Sequence, residues 1–285
     1  MSSAVRSAHD LRWPDLVWSH FSRPRFGDFD GRVAGAAAAG FAGIGLFINE
    51  YERLRDEEGR SVKDIGLQLD DHGLVLAEIE TLIGWADSGG ASDECLRREA
   101  LAYELADELG CRYLQAVGPY EGSVADAALA LAALCDRAAA HGLLVGIEWL
   151  PFTNIRTAGE ALDIVEAASR SNAGYCVDIW HHKRGANDES LIRALPAERV
   201  FAVQMNDGAQ QGALGDYKAD CMANRVPPGE GELDCVGFIR LLTELGVRSP
   251  ISLEVCSTEL WAASAHDAAQ RSADAMRAVL AEADT

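Results

Sequence analysis

The sequence predicts a single-domain (β/α)8 TIM barrel, an α/β fold in which eight parallel strands alternate with eight helices. Short β-branched or apolar runs alternate with longer Ala/Leu-rich segments from one end of the chain to the other. The length of 285 residues is normal for one such barrel, and no linker or change in composition divides the chain. The sequence also lacks the G-x-G-x-x-G and P-loop motifs that are typical of doubly wound open sheets.

The strands are predicted from the short apolar runs. The candidates are 16–22, 41–48, 74–80, 113–118, 143–150, 174–180, 200–206 and 250–256. Because helical segments separate consecutive runs, the strands are expected to be parallel, with right-handed crossovers.

The helices are predicted from the segments between these runs. The candidates are 31–39, 61–72, 92–109, 123–141, 157–169, 189–194, 234–245 and 266–281. Thr157 and Glu160 form a candidate capping box, and Gly110, Gly142 and Gly246 follow predicted helix ends. We assign residues 1–15 to an N-terminal extension and residues 16–285 to the barrel.

Charge and cysteine content narrow the classes of function. The chain has 45 acidic residues against 25 Lys and Arg, a net charge of −20, which disfavours binding to nucleic acid or to anionic membranes. The seven cysteines are scattered and form no C-x-x-C pair, so we expect reduced thiols. With no apolar segment of membrane-spanning length, a cytoplasmic protein is expected. The oligomeric state stays open between monomer and homo-oligomer.

One connection is much longer than the others. Residues 207–231, between the seventh strand and the seventh helix, are rich in Gly, Asp and Pro. A long loop after a barrel strand lies at the catalytic face, so this segment is either a lid over the active site or a surface insertion.

Strand periodicity places four oxygen-bearing side chains on the inner face of the barrel. Successive side chains of a strand point to opposite faces. In each of the last four strands, the bulky apolar residues share one face and small or polar residues share the other. The polar residues at or near the C-terminal ends of these strands are Glu148, Asp178, Gln204 and Glu254.

These four residues predict a metal site. Three carboxylates in one barrel mouth would repel one another and would be costly to desolvate unless a cation neutralised them. Oxygen ligands favour a hard ion, so we expect one Mn²⁺ or Mg²⁺ per chain, with Co²⁺ as a further candidate.

The same segments resemble a known family, the sugar isomerase/epimerase barrels of the xylose isomerase-like superfamily. The resemblance extends from about residue 16 to the C-terminus, and its motifs include Gly-Ile-Glu148, Val-Asp178-Ile-Trp-His181 and Leu-Glu254-Val. Val-Gln204-Met-Asn-Asp207 and Arg225 followed by Pro-Gly-Glu-Gly complete the pattern. The superfamily also contains 3-dehydroshikimate dehydratases and inosose dehydratases.

The resemblance implies roles for several residues. Glu148, Asp178, Gln204 and Glu254 match the family's metal-ligand positions. His181 matches a substrate-contacting histidine, although strict strand pleating would favour His182. Arg225 matches a substrate-binding position, with a surface arginine on a mobile loop as the alternative.

Two positions depart from the family patterns. Epimerases of this group usually have His where Gln204 stands, and Gln there resembles the dehydroshikimate dehydratases. Those dehydratases usually have His two residues after the strand-five glutamate, where this chain has Leu150. Endonuclease IV-type members use a His-rich three-metal site, and this chain has seven His in all. We therefore do not expect nuclease activity.

Further candidates come from neighbouring positions. His20 and Glu80 end the predicted first and third strands, where pocket walls form, and Trp149 follows Glu148. With His182 and Arg225, they complete the set of predicted substrate-binding residues.

Three functional hypotheses follow. The first is a metal-dependent isomerase or epimerase acting on a keto-sugar, cyclitol or related polyol. Glu148 or Glu254 would remove a proton next to a carbonyl, the metal would stabilise the enediolate, and the other carboxylate or His181 would return the proton. The second is a dehydratase that starts with the same step and then expels a β-leaving group. The third is a catalytically silent binding barrel.

Overall fold

The predicted barrel is confirmed. The computed structural model describes residues 7–88, 90–212 and 215–285. Eight parallel strands pair in sequence order, and β1 also pairs with β8, which closes the barrel. The strands are β1 Leu16–Trp18, β2 Gly43–Phe47, β3 Val75–Leu82, β4 Tyr113–Val117, β5 Leu144–Glu148, β6 Ala173–Asp178, β7 Val200–Met205 and β8 Ile251–Leu253.

The helices surround this barrel. They are α1 Phe29–Ala38, α2 Ile48–Asp56, α3 Val62–Asp71, α4 Asp93–Leu109, α5 Val124–Ala139, α6 Ala158–Ala168, α7 Ile179–Lys183, α8 Glu189–Arg193, α9 Tyr217–Cys221, α10 Cys235–Leu245, α11 Thr258–Ala262 and α12 Ala265–Ala283. Each of the eight predicted helices overlaps one of these. Gly110 and Gly246 end α4 and α10 with φ of 70° and 80°, a left-handed conformation that glycine adopts at little cost.

The hydrophobic core lies between the strands and the helices. Val145 and Ile147 of β5 and Val177 of β6 point outward into this layer and are fully buried. The inner faces carry small or polar groups instead. For example, the Ser252 hydroxyl donates to Glu78 Oε2 at 2.8 Å across the barrel interior. The outer layer therefore supplies most of the apolar burial, which leaves the interior free for polar chemistry.

All strands except β3 are shorter than predicted. β1 ends at Trp18 and is followed by a 3₁₀ turn at His20–Ser22, and β8 ends at Leu253. β6 ends at Asp178, because the Asp178 carboxylate accepts a hydrogen bond from Trp180 N at 2.7 Å and caps α7. The apolar residues Ile179 and Trp180 are predicted to continue the strand. They form the start of α7 instead, because Asp178 caps that helix.

Asp207 holds the two ends of the long loop, residues 207–231, together through hydrogen bonds. Asp207 and Val226 exchange both backbone hydrogen bonds at 2.9 Å. The buried Asp207 carboxylate accepts from the backbone N–H groups of Gly208, Gly229 and Leu233. Asp207 therefore organises the loop and does not face solvent, and the loop contains the short helix α9.

The chain before β1 packs over the N-terminal end of the barrel. The first six residues of the predicted extension lie outside the described residues. After them, Ala8–Asp10 forms a 3₁₀ turn, and Trp13 N donates to Arg248 O at 2.9 Å. Asp15 O accepts from Ile251 N, so this segment continues directly into the barrel.

Two further observations concern the chain as a whole. All seven cysteines are buried free thiols, as predicted. Among the described residues, no helix has both the length and the apolar character needed to cross a membrane.

We predict that Gly45→Ala destabilises the protein by displacing Glu80. A Cβ atom at Gly45 would lie 1.9 Å from Glu80 Oε1, which accepts a hydrogen bond from His20 N at 3.1 Å. Overpacking of this kind costs about 1–3 kcal/mol in the free energy of unfolding. Urea unfolding of Gly45→Ala tests the prediction, with Gly215→Ala as a control because a Cβ there meets open space. Equal stabilities of the two variants would contradict it.

Candidate metal and catalytic site

The four predicted ligand residues lie side by side at the C-terminal mouth. Glu148 and Asp178 are the last residues of β5 and β6, and Glu254 directly follows β8. Asp178 pairs in register with Gln204 of β7, which in turn pairs with Ser252 of β8. All four side chains are buried, and Glu148 and Glu254 are the most exposed, at 5% and 6%.

Asp178 uses both carboxylate oxygens in hydrogen bonds. Oδ1 accepts from Trp180 N at 2.7 Å and from Asn206 Nδ2 at 3.0 Å, and Oδ2 accepts from Arg225 Nη1 at 2.8 Å. Burial acts to raise the pKa of Asp178, but Arg225, His181 and Asn206 together hold this pKa below its usual value. Asp178 is therefore the permanently ionised member of the site.

Arg225 is a buried part of the site, which excludes the surface-arginine alternative. Its Nη1 also donates to Glu254 Oε2 at 2.8 Å, and its Nε donates to Cys221 O at 3.0 Å. One guanidinium group thus neutralises charge on Asp178 and Glu254 together. Even so, burial and the charge of Asp178 raise the pKa of Glu254 to about 8.

Glu148 has one engaged oxygen and one free oxygen. Gln115 Nε2 of β4 donates to Oε2 at 2.7 Å, while Oε1 lies 3.5 Å from His181 Nε2. Burial, Glu254 and Asp178 raise the pKa of Glu148 well above its usual value. Gln115 was missed in the sequence, although it shares the inner face of β4 that the pleat rule defines.

His181 reaches the site because α7 begins at Ile179. One helical turn places it beside Asp178, with Nε2 3.9 Å from Oδ2, and Nδ1 lies 3.0 Å from the Tyr217 hydroxyl of α9. Burial lowers the pKa of His181 to about 3, so the ring is neutral at physiological pH. Ligand atoms of Glu148, Asp178 and His181 all lie within 4.8 Å of one another, close enough to hold a metal ion.

Gln204 gives the clearest sign that a cation belongs here. Its side chain is buried, and its Oε1 has no hydrogen-bond partner. A buried acceptor without a partner costs about 1–3 kcal/mol, and a metal ion would satisfy it. The carboxylates, this amide oxygen and the neutral imidazole form a donor set that fits a divalent cation.

The remaining predicted residues occupy different places. Glu80 is buried below the mouth, bound to His20 N and Ser19 Oγ, and His20 packs 5.8 Å from the Phe47 ring. The prediction that Trp149 binds substrate is wrong, because its side chain belongs to the hydrophobic core, on the outer face of β5 that its pleat position defines. Strand pleating predicts that His182 shares the face of Asp178 and binds substrate. This prediction is wrong, because the His182 ring stacks on the Phe238 ring of α10, with 5.7 Å between the ring centroids.

Phe152 and Tyr217 border the pocket beside His181. The Phe152 ring lies 6.2 Å from His181 and 6.0 Å from Tyr217, and it is 38% exposed. Tyr217 was missed in the sequence because it lies on α9, a short helix inside the long loop. Together these rings give one side of the mouth an aromatic border.

The fold and the side-chain arrangement define a barrel with a candidate metal site at its C-terminal mouth. The chain belongs to the xylose isomerase-like TIM barrel family, whose model matches residues 33–279. Its relatives are enzymes that modify sugar-acid or cyclitol compounds.

Two curated relatives and one solved structure illustrate the similarity. The chain is 30% identical to a 3-dehydroshikimate dehydratase of Pseudomonas aeruginosa over 79% of its length, which is 35% of the relative. It is 29% identical to an inosose isomerase of Halalkalibacterium halodurans over 50% of its length and 50% of the relative. A solved IOLI protein with a bound zinc atom shares the fold with a TM-score of 0.81 and 18% identity, covering 94% of this chain and 98% of that one.

We predict that Gln204 is a metal ligand. Gln204→Leu should weaken Mn²⁺ binding by about 100-fold or more, because losing a ligand costs at least as much as losing one of its supporting contacts. Gln204→His should keep the metal and shift the preference toward Co²⁺ or Zn²⁺, since imidazole nitrogen is the softer ligand. Elemental analysis and calorimetric titration measure both effects. Gln210→Leu removes an exposed amide of the loop that follows β7 and serves as the control.

If Gln204→Leu bound Mn²⁺ as tightly as the wild-type protein, the site would have only its carboxylates and His181 as ligands.

We also predict that metal affinity rises with pH. The pKa of Glu254 is about 8 in the metal-free protein, so its proton must leave before a cation can bind below that pH. Each proton released makes the affinity increase about tenfold per pH unit until the carboxyl is ionised. Titrations with Mn²⁺ between pH 6 and 8 test this slope. Glu254→Gln should reduce it, and a Kd that does not change with pH would argue against a protonated site.

Proposed function

We propose that this protein is a divalent-metal-dependent dehydratase that acts on a small hydroxylated ring ketone of the dehydroshikimate type. The supporting observation is a pair of buried carboxyl groups, Glu148 and Glu254, which lie at the C-terminal mouth of the barrel and have raised pKa values. Such groups can accept and donate protons near neutral pH. When bound, the metal supplies Lewis acidity that polarises the substrate carbonyl.

The hydrogen bonds distinguish the proton-transfer groups from the fixed ones. Asp178 has both oxygens occupied and a lowered pKa, so it holds charge and moves no proton. Glu148 has a free Oε1, and we assign to this atom the removal of the proton next to the carbonyl. Gln115 holds the other oxygen and fixes the orientation of the carboxylate.

Glu254 takes the complementary role. Arg225 engages Oε2 and leaves Oε1 without a hydrogen bond. Burial gives this carboxyl group a high proton affinity, so in the metal-loaded protein it can take up a proton and pass it to a departing β-hydroxyl group. The proton taken by Glu148 and the proton given by Glu254 balance when water leaves.

His181 and Arg225 orient the substrate. Arg225 Nη2 lies 3.3 Å from His181 Nε2, so both groups border the same space between Glu148 and Glu254. The Tyr217 hydroxyl holds Nδ1 of the neutral imidazole and so directs Nε2 toward Glu148 Oε1, which lies 3.5 Å away. The lid stays a prediction: residues 207–231 would close over bound substrate, with Arg225 as the contact.

Isomerisation is the second candidate, and it shares the first proton transfer. The absence of His at position 150 and the similarity to inosose isomerases favour it. The dehydratase takes precedence because Gln204 replaces the epimerase histidine and because the dehydratase match covers more of the chain. The chain spans about a third of that dehydratase, so the activity of the longer relative enters only as a proposal.

The test separates dehydration from isomerisation by product. With Mn²⁺ and 3-dehydroshikimate, dehydration yields a conjugated product that is followed by its ultraviolet absorbance. With inosose in D₂O, isomerisation exchanges carbon-bound hydrogen without loss of water. We expect the first signal, and Glu148→Gln or Glu254→Gln should lower the rate by about 10²–10⁴-fold.

The control variant is Glu259→Gln, an exposed glutamate of α11 that pairs with Arg271 and lies outside the site. It should match the wild-type rate. Deuterium exchange alone would support the isomerase, and neither signal from a metal-loaded protein would favour the silent binding barrel.

A further inference from the structure

We propose that a cavity at the N-terminal end of the barrel is a second binding site, which takes a small carboxylate that bears at least one hydroxyl group. The cavity has a volume of about 250 Å³, which corresponds to about eight water molecules of liquid volume. Its lining includes Glu78, Arg112, Tyr113 and Arg248. This end of the barrel is opposite to the candidate metal site.

The first argument is the presence of two arginines without partners. In the described part of the chain, neither Arg112 nor Arg248 has an ion pair or a side-chain hydrogen bond, and Arg112 Nε is buried without an acceptor. Most other arginines of this acidic protein pair with carboxylates, as Arg137 does with Glu99. Guanidinium groups left free beside a cavity, in a chain with a net charge of −20, favour an anionic ligand.

The second argument is a set of polar side chains among the residues that line the cavity. The Tyr113 side chain is 5% exposed, and its hydroxyl has no oxygen or nitrogen partner and stands beside the Cys176 thiol. The Ser249 hydroxyl also lacks a partner. Burial raises the pKa of Glu78 to about 7, so near neutral pH a protonated fraction of this carboxyl group can donate a hydrogen bond. Buried hydroxyls without partners favour a ligand that carries hydroxyl groups.

The third argument comes from the walls of the cavity. Leu11, Phe201 and Pro250 provide apolar surface to the cavity. A bare inorganic anion would leave this surface without contacts, whereas a ring with one carboxylate would cover it. The exposed carboxylate of Glu198 also lines the cavity, and it disfavours ligands with several negative charges.

Hydrogen bonds link the cavity to the other end of the barrel. Ser252, two residues before Glu254 on β8, donates to Glu78 Oε2. The Glu78 and Glu80 carboxyl groups lie within hydrogen-bonding reach, and Glu80 accepts from His20 N near the catalytic face. A ligand that contacts Glu78 therefore touches a group connected to the catalytic strands, although it does not enter the metal site.

The experiment uses 4-hydroxybenzoate as the probe and calorimetric titration of the full, metal-loaded chain. We expect saturable binding of one molecule and an affinity at least tenfold weaker for Arg248→Ala and for the neutral analogue 4-hydroxybenzamide, because each loses a charge-assisted hydrogen bond. Arg112→Ala should show the same loss. Arg25→Ala removes an unpaired arginine near the opposite end of the barrel and should bind the probe like the wild-type protein.

Two outcomes would overturn the inference. Binding that is unchanged in Arg248→Ala but lost in Glu254→Gln would place the probe in the metal site. Inorganic phosphate that binds as tightly as 4-hydroxybenzoate, with the same dependence on Arg248, would show a simple anion site that does not select for hydroxyl groups. Arg248 is exposed, so its replacement does not disturb the core. Probe binding is measured without turnover, so its result does not depend on whether the proposed dehydratase activity is found.

Discussion

Three carboxylates buried in one barrel mouth cannot all be ionised without a cation. Burial alone raises the free energy of each charged form, and mutual repulsion adds to it. Arg225 stabilises the charge of Asp178, but Glu148 and Glu254 still have raised pKa values. The site is therefore short of positive charge. A divalent metal would supply that charge and would also satisfy the isolated Gln204 oxygen.

The architecture of the barrel follows from this constraint. A polar interior contributes little hydrophobic stabilisation, so the layer between strands and helices must supply it, and residues such as Val145 and Ile147 lie there. Glycines on the inner faces make room for the long polar side chains. Gly45 leaves space for the Glu80 carboxylate, and Gly146 leaves space for the Tyr113 ring. The outer face of each strand thus contributes hydrophobic packing, and the inner face carries the polar side chains.

The sequence predicted those features that depend on periodicity. Alternation along the strands located Glu148, Asp178, Gln204 and Glu254, because the two-residue repeat of a strand is a local property. It failed where a long-range or capping contact decides the geometry. The turn that brings His181 to the site depends on the Asp178 cap, and the burial of Arg225 depends on two carboxylates that lie 47 and 29 residues away in sequence.

Arg225 also shows how the long loop and the catalytic face form one unit. Its guanidinium group contacts the Cys221 carbonyl of the loop, the Asp178 carboxylate and both the backbone and the side chain of Glu254. A lysine has one ammonium nitrogen and could not span these acceptors with a comparable geometry. The loop therefore contributes to the charge of the site through Arg225. Because Asp207 fixes the start of the loop and Arg225 fixes its later part, any closure of the loop would involve the segment between them.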